Sequence, residues 1–198
     1  MRTINFDWKP LVLVPLLAVL VMPLIGSPST WLTLTVAGLA MGMIIFIIAS
    51  GLTLVFGLMD VLNFGHGVFI ALGAFVATSV MGAMGDWTSS DQLWRNLVAV
   101  FPAMLIAMAV AGAVGLAFER FIVRPVYGQH LKQILITMGG MIIGEELIKV
   151  IWGPAQIALP LPEAMRGSLY VGDAAIEKYR LMAVVVGLAV FALLAWVL

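Results

Sequence analysis

No aspartate, glutamate, lysine or arginine occurs from Pro10 to Met59, Val61 to Gly85, Asn96 to Phe118 or Leu181 to Leu198. A helix needs roughly 20 apolar residues to cross the hydrocarbon of a bilayer. The first stretch is therefore long enough for two crossings and each of the others for one. Charged residues make up 10% of the 198-residue chain, against about a quarter in a soluble domain, which excludes a soluble enzyme. Ten basic and ten acidic residues cancel, so no concentrated basic face points to nucleic acid. With no cysteine, there are no disulfides, thiolate metal sites or thiol nucleophiles.

The pattern predicts an all-α membrane protein, a polytopic bundle of about six transmembrane helices forming one transmembrane domain over 1–198. Its spans are expected near 11–25, 32–58, 68–84, 97–118, 134–152 and 181–198, with the lipid bilayer as their surroundings. Leu11 to Ile25 follows Arg2 and Lys9 as a signal peptide would, but Val21-Met22-Pro23-Leu24-Ile25 lacks small residues at cleavage spacing. It reads as an uncleaved first helix that Pro15 and Pro23 kink or shorten. Gly26-Ser27-Pro28-Ser29 is a turn cluster, and Trp31 is placed to sit at the membrane interface. Arg124-Pro125 is expected to end the fourth helix. Between the fifth and sixth runs lies a loop of prolines and glycines with no sustained hydrophobic period.

Lysine and arginine in the loops set orientation. With the N-terminus inside, the inner segments carry Arg2, Lys9, Arg120, Arg124 and Lys132, and the outer ones Arg95, Arg166, Lys178 and Arg180 over more residues. The bias favours a cytoplasmic N-terminus and places the proline-containing loop outside, where a partner could meet it.

Two places break the apolar pattern. Met59-Asp-Val-Leu-Asn-Phe-Gly-His-Gly67 puts Asp60, Asn63, Gly65, His66 and Gly67 inside apolar sequence. Backbone that leaves the helix at membrane depth must be buried in protein or line a watery cavity, and transporters use broken helices near their substrate sites. The alternative is a tight cytoplasmic turn in which Asp60 and Asn63 cap the next helix. His66 is a poor metal ligand candidate, because His130 is the only other histidine and no cysteine completes a site; no metal or other cofactor is expected.

The second place is Glu145, Glu146 and Lys149, with both carboxylates three or four residues from the lysine. A charge at a span's centre costs roughly 2.5 to 3.5 kcal/mol, whereas each leucine or isoleucine returns only about 0.3 to 0.6. The three must pair, face the bundle or sit near the outer interface. A proton relay or substrate contact and a structural pairing are both open. Gly38 with Gly42, Gly140 with Gly144, and Ala111 with Gly115 have helix-packing spacing. No G-x-x-x-x-G-K-[ST] loop exists, so any ATP hydrolysis belongs to another polypeptide.

The segment from Gly51 to Phe75, Gly-Leu-Thr-Leu-Val-Phe-Gly-Leu-Met-Asp-Val-Leu-Asn-Phe-Gly-His-Gly-Val-Phe-Ile-Ala-Leu-Gly-Ala-Phe, resembles the signature of LivH-type permeases of branched-chain amino acid ABC importers. Glu119-Arg-Phe-Ile-Val-Arg-Pro-Val-Tyr-Gly128 resembles their first basic cytoplasmic loop. Thr137-Met-Gly-Gly, Glu145-Glu146 and Ile151-Trp-Gly-Pro154 continue the match, so the likeness runs from about residue 35 onward.

The resemblance implies a bacterial inner-membrane permease subunit that is not itself an enzyme. Its implied partners are a LivM-like second permease, two ATP-binding subunits and a periplasmic substrate-binding protein delivering leucine, isoleucine or valine. Because the binding protein supplies the substrate, the permease needs no tight site. Family members are longer and carry an EAA-like ATPase-docking segment after the helix matching Leu181 to Leu198, so the chain is expected to be an N-terminal portion. Urea and amide permeases share the signature around Asn63 to Gly67. From the residues alone, an ion-coupled transporter or channel using Asp60, Glu145 and Glu146, and a nonfunctional membrane remnant, stay open.

Overall fold

A computed structural model describes residues 9–197. Arg2, counted in the charge bias, and Leu198, the end of the last run, lie outside them. Each of the six apolar runs is a helix: α1 (Lys9–Ile25), α2 (Pro28–Met59), α3 (His66–Ala83), α5 (Leu93–Phe118), α6 (His130–Trp152) and α7 (Lys178–Val197), with a single turn, α4 (Gly85–Thr88), before α5. Among the described residues four stretches are long and apolar enough to cross a membrane: α2, α3, residues 93–126 and α7. The chain divides into two compact units, one joining residues up to Ile44 to those from Gly167, the other Ile45–Arg166.

In the first unit, α1 runs through Pro15 and Pro23 and ends at Gly26, whose φ of +72° is the left-handed conformation that glycine adopts without strain. The prolines do not shorten the helix, which covers the whole of the expected 11–25. The Trp31 indole N–H donates to the Ala18 carbonyl at 2.6 Å and closes the α1–α2 turn. Gly187 of α7 lies against Met43 of α2, where a Cβ would come 2.5 Å from the methionine Cβ.

Residues 153–179, expected as a loop without regular structure, contain a β-hairpin. Ser168–Val171 (β1) and Ala174–Glu177 (β2) form an antiparallel hairpin with Val171 opposite Ala174. The connecting Gly172-Asp173 has the glycine at φ +60°, the arrangement of a II′ turn whose twist matches its strands. Strands of four residues are too short to announce themselves by alternation.

The second unit is built on small side chains. Ala99, Ala103 and Ala107 are buried along one face of α5, and the same four-residue step continues through Ala111 and Gly115. A Cβ on Gly73 of α3 would touch Ala111 at 3.9 Å, and one on Gly115 would touch Phe69 at 4.0 Å. Without a hydrophobic drive between helices in lipid, close backbone approach supplies the packing. Large apolar side chains point outward instead; Val150 is 80% and Leu131 78% exposed. After Phe118 the helix widens into a π turn (Glu119–Val123), tightens through Arg124–Val126 and stops, as Arg124-Pro125 predicted.

Asn96 staples one end of this unit. It is fully buried; its amide donates to the Trp87 and Ser90 carbonyls at 2.9 and 2.8 Å, and its oxygen accepts the Ala164 N–H at 2.8 Å.

Candidate functional site

The polar segment between α2 and α3 is a break in the helical chain. Asp60 donates its N–H to Phe56 at 3.0 Å and then turns into the left-handed region at φ +54°, which aspartate tolerates better than branched residues do. Val61 is buried. Asn63 Oδ1 accepts the Gly65 N–H at 3.0 Å, the local bond by which asparagine makes a turn. Neither Asp60 nor Asn63 caps α3, correcting that expectation: Gly65 is its N-cap, with no side-chain bond.

Thr137, in α6, holds the break. Its Oγ1 accepts the Phe64 N–H at 3.3 Å and lies 3.1 Å from the Leu62 carbonyl and 2.7 Å from that of Gln133. A hydroxyl has one proton and two acceptor lone pairs, so it serves one of these carbonyls at a time while receiving Phe64. Gly65 is pressed against α6; a Cβ there would sit 3.5 Å from the Thr137 carbonyl. Asp60 Oδ2 lies 3.8 Å from His130 Nε2, at the start of α6. His66 turns the other way, its Nε2 3.2 Å from the Ile48 carbonyl. That bond requires the proton on Nε2, which removes this nitrogen as a metal ligand. A Cβ on Gly67 would meet nothing within 4 Å among the described residues beyond its own helix.

Gln133 lies one helical turn before Thr137. It is fully buried, and neither its amide nitrogen nor its oxygen has a partner among the described residues. His130, Gln133 and Thr137 sit at i, i+3 and i+7, one face of α6. Sequence reasoning passed over Gln133 and Thr137; the available signal was a polar stripe within an apolar helix.

Beside the break is an apolar groove of about 350 Å³, lined by Gly65, Val68, Phe69, Phe118, Gly140 and Gly144 among others. Of the residues singled out in the break only Gly65 reaches it. Gly140 and Gly144 are packing positions, as their spacing suggested: a Cβ would come 2.4 Å from the Phe118 ring or 2.5 Å from Val68 Cγ1. Gly38 and Gly42 face nothing within 4 Å among the described residues.

Glu145, Glu146 and Lys149 are not brought to the break. Glu145 is eight residues beyond Thr137, about 12 Å along the axis at 1.5 Å per residue. Lys149 Nζ pairs with Glu146 Oε1 at 2.7 Å, both side chains about half exposed or more, near the end of α6 where the cost of charge falls. Past α5, the Tyr127 hydroxyl donates to Glu119 at 2.6 Å. That bond raises the phenol above its usual pKa, with burial and the carboxylate's charge adding to it. The interaction is therefore intact below the ordinary phenol range and is lost as pH rises through the raised value.

A family model described as branched-chain amino acid transport system / permease component matches residues 34–198. The high-affinity branched-chain amino acid transport system permease protein LivH of Escherichia coli K12 is 30% identical over 124 residues, 62% of this chain and 39% of that protein, and LivH of Salmonella typhimurium matches to the same extent. BraD of Pseudomonas aeruginosa, named as a permease of the same kind, is 34% identical over 111 residues, 54% of this chain and 34% of its own length. The chain thus spans well under two thirds of these relatives. No solved structure matches it. The helical, multi-pass architecture and a family match that takes in the break, the basic turn after α5 and all of α6 converge: the chain belongs to the family of branched-chain amino acid transport permease components.

Proposed function

We propose that this chain forms part of the permease subunit of an ABC importer carrying leucine, isoleucine and valine across the bacterial inner membrane, with its N-terminus in the cytoplasm. The observation that carries the reading is the family match over residues 34–198, together with relatives named for branched-chain amino acid transport. A second permease subunit of LivM type, two ATP-binding subunits and a periplasmic substrate-binding protein complete the assembly, and ATP is hydrolysed in the ATP-binding subunits. The six helices at the apolar runs act as its crossings.

Within the subunit, the break from Asp60 to Gly67 lies beside the translocation path. The support is local: Thr137 stands seven residues, about 10 Å, beyond the start of α6, so the segment it holds is recessed from that helix end. Asp60, Asn63, Gly65, His66 and Gly67 then form a hinge of polar and glycine residues at the path, and Glu145, Glu146 and Lys149 are intramembrane charges stabilised mainly by pairing.

Uptake of labelled leucine and urea by cells expressing the complete permease with its partner subunits tests the function. Leucine uptake that requires ATP is expected; urea uptake alone would overturn the amino-acid assignment. Cysteine substitutions through 60–67 should react with thiol reagents to an extent that changes with nucleotide state. Equal reactivity in every state would reduce the segment to a turn.

A further inference from the structure

The hairpin that interrupts the outer loop carries an apolar ledge. In its register Leu169 lies opposite Ile176 and Val171 opposite Ala174, and directly opposed residues project from the same face of a sheet. Ile176 and Ala174 are buried, and β2 runs directly into α7. Leu169 and Val171 point the same way from the outer strand but are 48% and 58% exposed. They extend the buried face beyond the edge of what covers it. Tyr170, opposite Ala175, belongs to the other face and is 78% exposed.

Where this ledge stands follows from the chain itself. β2 ends at Glu177 and α7 begins at Lys178 with no residue between them, and α7 is apolar from Leu181 onward. The Lys178 N–H donates to the Gly167 carbonyl at 3.1 Å, which ties the base of β1 to the first residue of α7. A four-residue strand reaches only about 13 Å, so no part of the hairpin can stand far from the level at which α7 enters the membrane. Thr33, early in α2, approaches the Ala175 carbonyl at 3.5 Å, so a second membrane-crossing helix also begins at this level. Trp31 and Tyr179 lie there too, the side chains that gather at the boundary between head groups and hydrocarbon.

We propose that the hairpin is an interfacial anchor, with Leu169 and Val171 inserted among the lipid head groups and upper acyl chains beside α7, and Tyr170 facing the aqueous side. The partner is the lipid surface itself. A soluble protein docking here is disfavoured, because Leu169 and Val171 share the face on which Ile176 and Ala174 are buried at the level where α7 enters the membrane, and the outward face offers one large apolar side chain. The ion pair between Arg180 and Glu177 at 2.6 Å offsets both charges at the point where the chain enters the bilayer.

The chain has no cysteine, so single substitutions label uniquely. Leu169→Cys, Tyr170→Cys and Val171→Cys, each spin-labelled in the full permease assembly in liposomes, would be compared for relaxation by oxygen, which concentrates in lipid, and by a water-soluble nickel chelate. Dominant oxygen access at 169 and 171 with dominant nickel access at 170 is expected, unchanged when the substrate-binding protein is added. Nickel access at all three positions would mean that the hairpin projects into water, and would overturn the proposal. Loss of both accessibilities at 169 and 171 would show coverage by protein and overturn it equally, as would protection appearing only with the binding protein. Retained leucine uptake in the labelled variants establishes that the fold is intact, and transport of a different solute would leave the anchor untouched.

Discussion

Thr137 is one hydroxyl serving two elements, and its removal should separate them. Thr137→Val keeps the shape but leaves the Phe64 N–H without its acceptor; an unmet partly buried donor costs roughly 1 to 3 kcal/mol. A lower thermal midpoint in detergent and reduced leucine uptake are expected for valine, and near-normal values for Thr137→Ser. A valine variant indistinguishable from the parent would show that the break is held by packing alone. Gln133 and Asn96 make an opposed pair. Both are fully buried amides, but Asn96 is bonded through both its nitrogen and its oxygen while Gln133 is bonded through neither among the described residues. Asn96→Leu strands two carbonyls and an N–H and should cost about 2 to 5 kcal/mol, whereas Gln133→Leu removes only unmet polar atoms and should leave stability unchanged or raised. Equal losses in thermal midpoint would reveal a hidden partner for Gln133.

At the scale of elements, helices approach where glycine permits it, and the sites differ sharply. Gly140→Ala would drive a Cβ to 2.4 Å from the Phe118 ring, an overpacking worth roughly 1 to 3 kcal/mol. Gly38→Ala meets nothing within 4 Å and should gain slightly from helix propensity. If thermal unfolding ranks the two the other way, α6 does not pack on the π turn's flank as described. The same contrast shows what could be read without coordinates. Long charge-free runs announce helices because some twenty consecutive apolar residues satisfy their own backbone in hydrocarbon as a helix, and the polar interruption at Asp60–Gly67 stands out against them. Which glycine pair is used depends on the neighbour opposite, which spacing does not contain. The i, i+4 ladder from Ala99 to Gly115 was legible in full but only its last step was recognised. The hairpin left a weak trace in Gly172-Asp173 beside Val171, too short for periodicity to expose. Thr137 was not legible as part of the site because Phe64 and Leu62, which it joins, lie some seventy residues away in sequence.

Across the larger unit the connections sort to two ends. Asp60 meets His130 at one, so the α2–α3 break and the basic turn before α6 share it. At the other, Ser79 accepts the Trp152 indole N–H at 2.7 Å, and Asn96 joins the α4 turn to Ala164. α3, α5 and α6 therefore run up, down and up, as short connections between antiparallel membrane helices require. Arg120, Arg124 and Lys132 all fall at the first end, which the proposed orientation puts in the cytoplasm. Single cysteines at Ser90 and Gln129 convert this into a measurement with a membrane-impermeant thiol reagent. Ser90→Cys should be labelled in intact cells, and Gln129→Cys only after the membrane is opened. The reverse pattern would invert the orientation while leaving the alternation standing. Labelling of both from the same side would break the alternation itself.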